Sequence, residues 1–269
     1  MFISSCPTDG YFFEKFTKGC HKQMGDIVKL YRALEVEILV EIFNSLEGEW
    51  GQVMTDRARW ELALEGYFYI VGFVCALRGE EIPLTNLAGI REHLEASGKS
   101  KRPHVVVALL GCFKNEHGDL NYHLLPVVNT TSSGLQPRKW IERAVTCCEQ
   151  MGYMSGPLFR DLESGGRRKP SDFELQFFRR LLEVQNCRPD LVGAGFDVEE
   201  QYGVSRSFRR GATSRAADMG LPPSVVNMNN RWRTVESARG KQASLTICDH
   251  YTDVRITLNL QRQCDLSFN

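Results

Sequence analysis

Residues 204–215 read Val-Ser-Arg-Ser-Phe-Arg-Arg-Gly-Ala-Thr-Ser-Arg and carry four arginines, Arg206, Arg209, Arg210 and Arg215. Phe208, Gly211 and Ala212 are interleaved with them, a pattern that a solvated charge run has no reason to adopt. A guanidinium held against a packed element stays charged and presents a planar fork to two oxygens at once, the chemistry of phosphate recognition. Downstream stand Asn230-Arg231-Trp232-Arg233 and Asp249-His250-Tyr251-Thr252. An arginine box, then an Arg-Trp pair, then a late tyrosine points to phosphoryl chemistry on a nucleic-acid backbone.

The chain has 269 residues, 42% hydrophobic and 25% charged, which is ordinary globular composition with enough length for a sizeable core. Its formal net charge is zero, whereas nucleic-acid binders are usually basic. The average conceals an asymmetry. Residues 204–241 hold eight Lys or Arg against two acids, Asp218 and Glu236, a local balance of +6, and it is the local patch that a polyanion meets. Nine cysteines occur without CxxC spacing, so no zinc site is expected. Their odd number and the lack of a signal peptide favour reduced thiols in an intracellular setting. The most apolar run, residues 67–77, is too short to span a bilayer and follows Glu61 and Glu65. It reads as a buried helix, and no membrane partner is expected.

Several elements must position these residues. From residue 27 the apolar pattern Val28, Leu30, Leu34, Val36, Ile38, Leu39, Ile42, Phe43, Leu46 fits one or two amphipathic helices. A second helix is predicted over 55–77, with Trp60, Leu62, Leu64, Phe68, Ile70, Val71 and Val74 in the core, and Pro83 ends or restarts a helix. Residues 105–113 and 123–128 are apolar and flank a turn at 115–118, which predicts a β-hairpin. Helices are expected over 137–151 and 172–184, separated by a basic loop, Ser164-Gly-Gly-Arg-Arg-Lys-Pro170. The arginine box opens another helix, with Ser205 or Ser207 near its N-terminus. Ser224 is positioned to cap a short helix over 225–232. The sum is a mainly α fold with a small antiparallel β-sheet, α+β in class.

Ser207-Phe208-Arg209-Arg210-Gly211-Ala212-Thr213 resembles the second conserved box of the tyrosine recombinases, the phage-integrase family, where a His-x-x-Arg opens a helix. Asn230-Arg231-Trp232-Arg233 is similar to the family's Gly-His or Gly-Arg-Trp box, and Tyr251 to its nucleophile. Cys75-Ala-Leu-Arg78-Gly-Glu-Glu81-Ile82 resembles the first box, Gly-Leu-Arg-x-x-Glu-Leu. The wording is closest to the recombinases of Crypton-type eukaryotic mobile elements. The resemblance implies the tyrosine recombinase catalytic-domain fold over 31–269 with a clipped C-terminus. Residues 1–30 would be a linker or the remnant of an N-terminal DNA-binding domain.

The same resemblance implies a site-specific recombinase or integrase that breaks and rejoins DNA through a 3′-phosphotyrosine, with neither metal nor ATP and therefore no cofactor. Arg78 and Arg209 would clamp the non-bridging oxygens, Trp232 would donate its indole N–H, Lys114 would protonate the leaving 5′ oxygen, and Tyr251 would attack. Double-stranded DNA and further copies of the chain, assembled as a synaptic tetramer, would be the partners. The setting would be intracellular, and nuclear in a eukaryote. Two departures from the family pattern stand out. Arg206 occupies the position usually filled by His or Lys, and arginine cannot act as a base at neutral pH. Trp232 and Tyr251 are 19 residues apart, longer than is common, with Lys241 where a shorter spacing would put the tyrosine. Tyr153 and Tyr202 compete for the nucleophile's role. The alternatives are a decayed or domesticated copy that binds DNA without cutting it, and a type IB topoisomerase-like enzyme. Arg78 alone also reads as a helix-end arginine within reach of Glu80 and Glu81.

Overall fold

Two helices near the start of the described chain set the core. The computed structural model describes residues 31–53, 55–97, 104–111, 121–222 and 226, all within a unit that begins at Tyr31. Helix α1, Val36–Trp50, buries Val36, Ile38, Leu39, Ile42, Phe43 and Leu46, the i, i+3, i+4 stripe that a packed amphipathic helix needs. The expected helical pattern at 27–30 lies outside the described residues. Helix α2, Asp56–Val74, is capped by Thr55, whose hydroxyl accepts the Ala58 N–H at 3.2 Å. Every residue of α2 from Leu62 to Val74 is buried, so this helix runs through the middle of the molecule. Its expected core residues, Trp60 to Val74, are all inside.

Beyond α2 come a 3-10 turn, Ile82–Leu84, and helix α3, Leu87–Ser97. Pro83 restarts rather than ends a helix: it is the second residue of the 3-10 turn. Helix α3 starts because the Asn86 side chain accepts the Gly89 N–H at 3.0 Å. Strands β1, His104–Gly111, and β2, Asn121–Val128, form one antiparallel pair with His104 opposite Val128 and Gly111 opposite Asn121. The connecting tip, with Lys114, lies outside the described residues. Helix α4, Pro137–Gln150, begins with proline at its first position, where the missing N–H costs nothing.

The basic loop then leads through a 3-10 turn, Pro170–Phe173, into helix α5, Glu174–Cys187. Two one-turn helices follow, α6, Pro189–Val192, and α7, Val198–Gln201, before helix α8, Ser207–Asp218. Helices α1, α4 and α8 pack against α2, α5 packs against α1, and α3 covers β1. The molecule is thus mixed helix with a small two-stranded antiparallel sheet, α+β in class. Among the described residues no helix is long and apolar enough to cross a membrane.

An aromatic cluster joins α2 to the arginine helix. Phe68 stacks on Phe173 at 4.6 Å and meets Phe159 and Phe208 edge-on, while Tyr69 stacks on Phe208 at 5.7 Å. Each such pair adds about 0.5–1.5 kcal/mol beyond area burial, so α8 is held to α2 one residue from Arg209.

Candidate nucleic-acid interface

The first arginine is placed by the way α2 ends. Leu77 N–H donates to the Gly72 carbonyl and Ala76 N–H to the Phe73 carbonyl, both at 2.9 Å. This is the Schellman pattern, which needs a left-handed residue just past the helix. Here the residue is Ala76, at φ 48°, a conformation that costs a non-glycine residue about 1–2 kcal/mol. The chain therefore leaves α2 in a fixed direction, with Arg78 two residues on. Glu81 closes the next turn. Its carboxylate accepts the Arg78 backbone N–H at 2.9 Å and the Arg78 Nη1 at 3.1 Å, and its own N–H donates to the Arg78 carbonyl at 2.8 Å.

The second arginine arrives from α8. Arg206 occupies the N-cap position without a capping bond. Neither serine caps this helix. Ser207 is its first residue, and the Ser207 hydroxyl instead accepts the Gly203 N–H at 3.1 Å, folding the loop before α8 back on itself. One turn into the helix, Arg209 is buried and its Nη1 lies 3.6 Å from the Glu81 carboxylate. Arg78 and Arg209, far apart in sequence, thus meet on one carboxylate.

The loops that carry them touch directly. Gly79 N–H donates to the Ser205 carbonyl at 3.2 Å. A Cβ at Gly79 would lie 2.6 Å from the Val204 carbonyl oxygen and 2.9 Å from the Ser205 Cα, so only glycine permits this approach. Leu34 N–H, just before α1, donates to the Ser207 carbonyl at 3.0 Å, fixing the start of α8 from the other side.

The Arg78 side chain keeps 35% of its surface exposed, against 9% for Glu81 and for Arg209. Arg206 and Arg210 are exposed, and Arg215 is half-buried. Arg206, at the N-cap, is exposed, whereas Arg209, within the helix, is buried. Two guanidiniums share the single Glu81 carboxylate, and of the two Arg78 is the one that reaches the surface. An incoming anion could take bonds from the partly exposed Arg78 fork while Glu81 holds Arg78 and Arg209 together.

Glu81 is the site residue that sequence reasoning did not select. The Arg-x-x-Glu spacing was the signal for its bond to Arg78; the contact with Arg209 is tertiary and has no local signature. Lys114, Trp232 and Tyr251 lie outside the described residues. Of the competing tyrosines, Tyr202 is fully buried, and the Tyr153 ring lies under the Arg160 guanidinium at 4.7 Å. Among the described residues no group of three His, Cys, Asp or Glu is arranged to hold a metal ion.

A second charged cluster has a structural role. Arg180 is fully buried and reaches Glu49 on α1, Glu65 on α2, and Glu183 on its own helix. Its Nε and Nη2 donate to Glu65 at 2.8 and 3.1 Å, and Tyr69 donates to the same carboxylate at 3.1 Å. With Arg180 and Glu65 buried and Glu49 and Glu183 partly exposed, the cluster binds three helices together. No family model matches the chain, and no curated protein does.

Proposed function

We propose that this chain carries the catalytic domain of a tyrosine-recombinase-like DNA strand-transfer enzyme, with the corresponding fold. The observation that supports it is the meeting of Arg78 and Arg209 on Glu81. In this reading the phosphate to be cut sits against the Arg78 and Arg209 forks. Tyr251 loses its phenolic proton to solvent as its Oη attacks phosphorus, the bond to the 5′ oxygen breaks, and Lys114 supplies the proton that this oxygen takes and regains one from solvent. The product is a 3′-phosphotyrosine and a free 5′ hydroxyl, and the reverse attack reseals a strand. The phosphotyrosine conserves the energy of the broken phosphodiester, so the cycle draws on neither ATP nor metal.

Charge building on the five-coordinate phosphorus is met by fixed cations, and each well-placed donor contributes about 3 kcal/mol to the barrier reduction. Trp232 supplies a further N–H. Double-stranded DNA is the substrate, and a tetramer of chains synapses two sites. Arg206 favours one alternative, a domain that holds DNA without cutting it. It stands exposed where an acid–base group would be useful, and it carries charge only.

A binding comparison tests the grip. Arg78→Ala and Arg209→Ala should each weaken retention of duplex DNA at least tenfold in fluorescence anisotropy. Arg210→Ala, one residue away and exposed, should change it little. Equal losses in all three would reduce the pair to general surface charge.

A further inference from the structure

The basic loop between α4 and α5 is an ordered ribbon rather than a solvated tail. Arg160 and Arg167 face each other in an antiparallel bridge, Asp161 N–H donates to the Gly166 carbonyl, and Arg168 N–H donates to the Phe159 carbonyl, both at 2.9 Å. Like charges directly opposite one another across two strands are unfavourable unless something negative lies between or beside them. Among the described residues no carboxylate does so, and the Arg160 guanidinium turns to the Tyr153 ring at 4.7 Å and the Ser155 carbonyl at 3.3 Å. Asp161 is turned into its own turn, accepting the Ser164 hydroxyl at 2.6 Å and the Glu163 N–H at 2.9 Å.

The three cations at the end of the ribbon are used differently. Arg168 is spent inside the fold, with its Nη1 2.5 Å from Glu61 and its guanidinium over the Phe173 ring at 4.7 Å. Arg167 is exposed, and among the described residues its side chain makes one hydrogen bond, from Nη2 to the Leu110 carbonyl on β1 at 3.4 Å. That bond ties the exposed guanidinium to the end of β1. Lys169 is exposed beside it and forms no ion pair among the described residues.

The ribbon also adjoins the arginine pair through a short chain of contacts. Leu158 N–H donates to the Thr85 carbonyl at 3.0 Å, Thr85 bridges Leu109 of β1, and a Cβ at Gly111 would lie 2.7 Å from the Leu84 side chain. Leu84 and Thr85 follow Glu81 by one turn of 3-10 helix. The ribbon therefore stands on the same framework that holds Arg78.

We infer that Arg167, supported by Lys169, is a second backbone-phosphate contact for the same DNA duplex, displaced from the phosphate held by Arg78 and Arg209. This contact rests on the proposed DNA-binding function, and it positions the duplex rather than reading its sequence. Each phosphate neutralised releases counterions, so one lost contact lowers the slope of log K against log salt by about 0.9.

The test is a salt titration of duplex binding, followed by fluorescence anisotropy, with the wild-type chain, Arg167→Ala, Arg167→Lys and Arg209→Ala. Arg167→Ala should bind several-fold more weakly on unrelated duplexes alike, with the slope reduced by about 0.9 and an unchanged melting temperature. Arg167→Lys should restore the slope. If Arg209→Ala loses binding while Arg167→Ala keeps wild-type affinity and slope, the ribbon contact is overturned and the arginine pair stands. If the wild-type chain does not bind duplex DNA, both fall.

Discussion

Replacing Glu81 by alanine removes the acceptor shared by Arg78 and Arg209 and leaves the buried Arg209 without that carboxylate. Breaking a buried pair from one side costs about 3–5 kcal/mol. Glu81→Ala should therefore lower the midpoint of urea unfolding by that equivalent, whereas Arg210→Ala should leave it unchanged. Phe208 adds a second test at this scale. It is fully buried among Phe68, Tyr69 and Phe177, so Phe208→Ala should cost about 3–5 kcal/mol and loosen Arg209 with it. Arg78 and Arg209 were legible in the sequence because residue type and spacing carry phosphate chemistry openly. Glu81 was legible only as a neighbour of Arg78. Arg180 was not legible at all: it sits in the stripe Phe177, Arg180, Leu181, Val184, where periodicity calls for an apolar residue, and its partners come from α1 and α2.

Helices α1, α2 and α5 meet at the Arg180 cluster, and this makes their packing depend on pH. The Arg180 guanidinium donates to Glu49 and holds its carboxyl below the ordinary value of 4.5. A carboxylate with a depressed folded-state pKa stabilises the fold above its unfolded value, and the contribution disappears as pH falls through the folded one. Thermal unfolding should show stability falling as pH drops below 4.5, and Glu49→Gln should flatten that limb. A contrary expectation holds for Gly48, which lies exposed within α1 with nothing near a built Cβ. Gly48→Ala should raise stability by about 0.5–1 kcal/mol, read as a higher melting temperature. The long helices and the hairpin were legible from their apolar periodicity. Helix α3 depends on one Asn86 cap, and α6 and α7 on Pro189 and on Asp197, which accepts the Glu199 and Glu200 N–H groups. Elements this short or this polar carry little periodic signal.

At the scale of the molecule, α2 is a buried axis whose C-terminal turn presents Arg78, while α8 is pressed against it to bring up Arg209. Between them Gly79 allows the two loops to touch, so Gly79→Ala should separate the arginines and weaken DNA retention even where the fold survives. The framework extends through the 3-10 turn to β1 and the basic ribbon. The claim at the centre is that such a phosphate is cut by covalent attack. A nicked suicide duplex, incubated with the chain and resolved on a denaturing gel, measures this directly. A denaturant-stable protein–DNA adduct is expected from the wild-type chain, with loss of it in Tyr251→Phe and in Arg209→Ala. Retention of the duplex by the wild-type chain without any adduct would contradict strand cleavage and leave a DNA-binding domain.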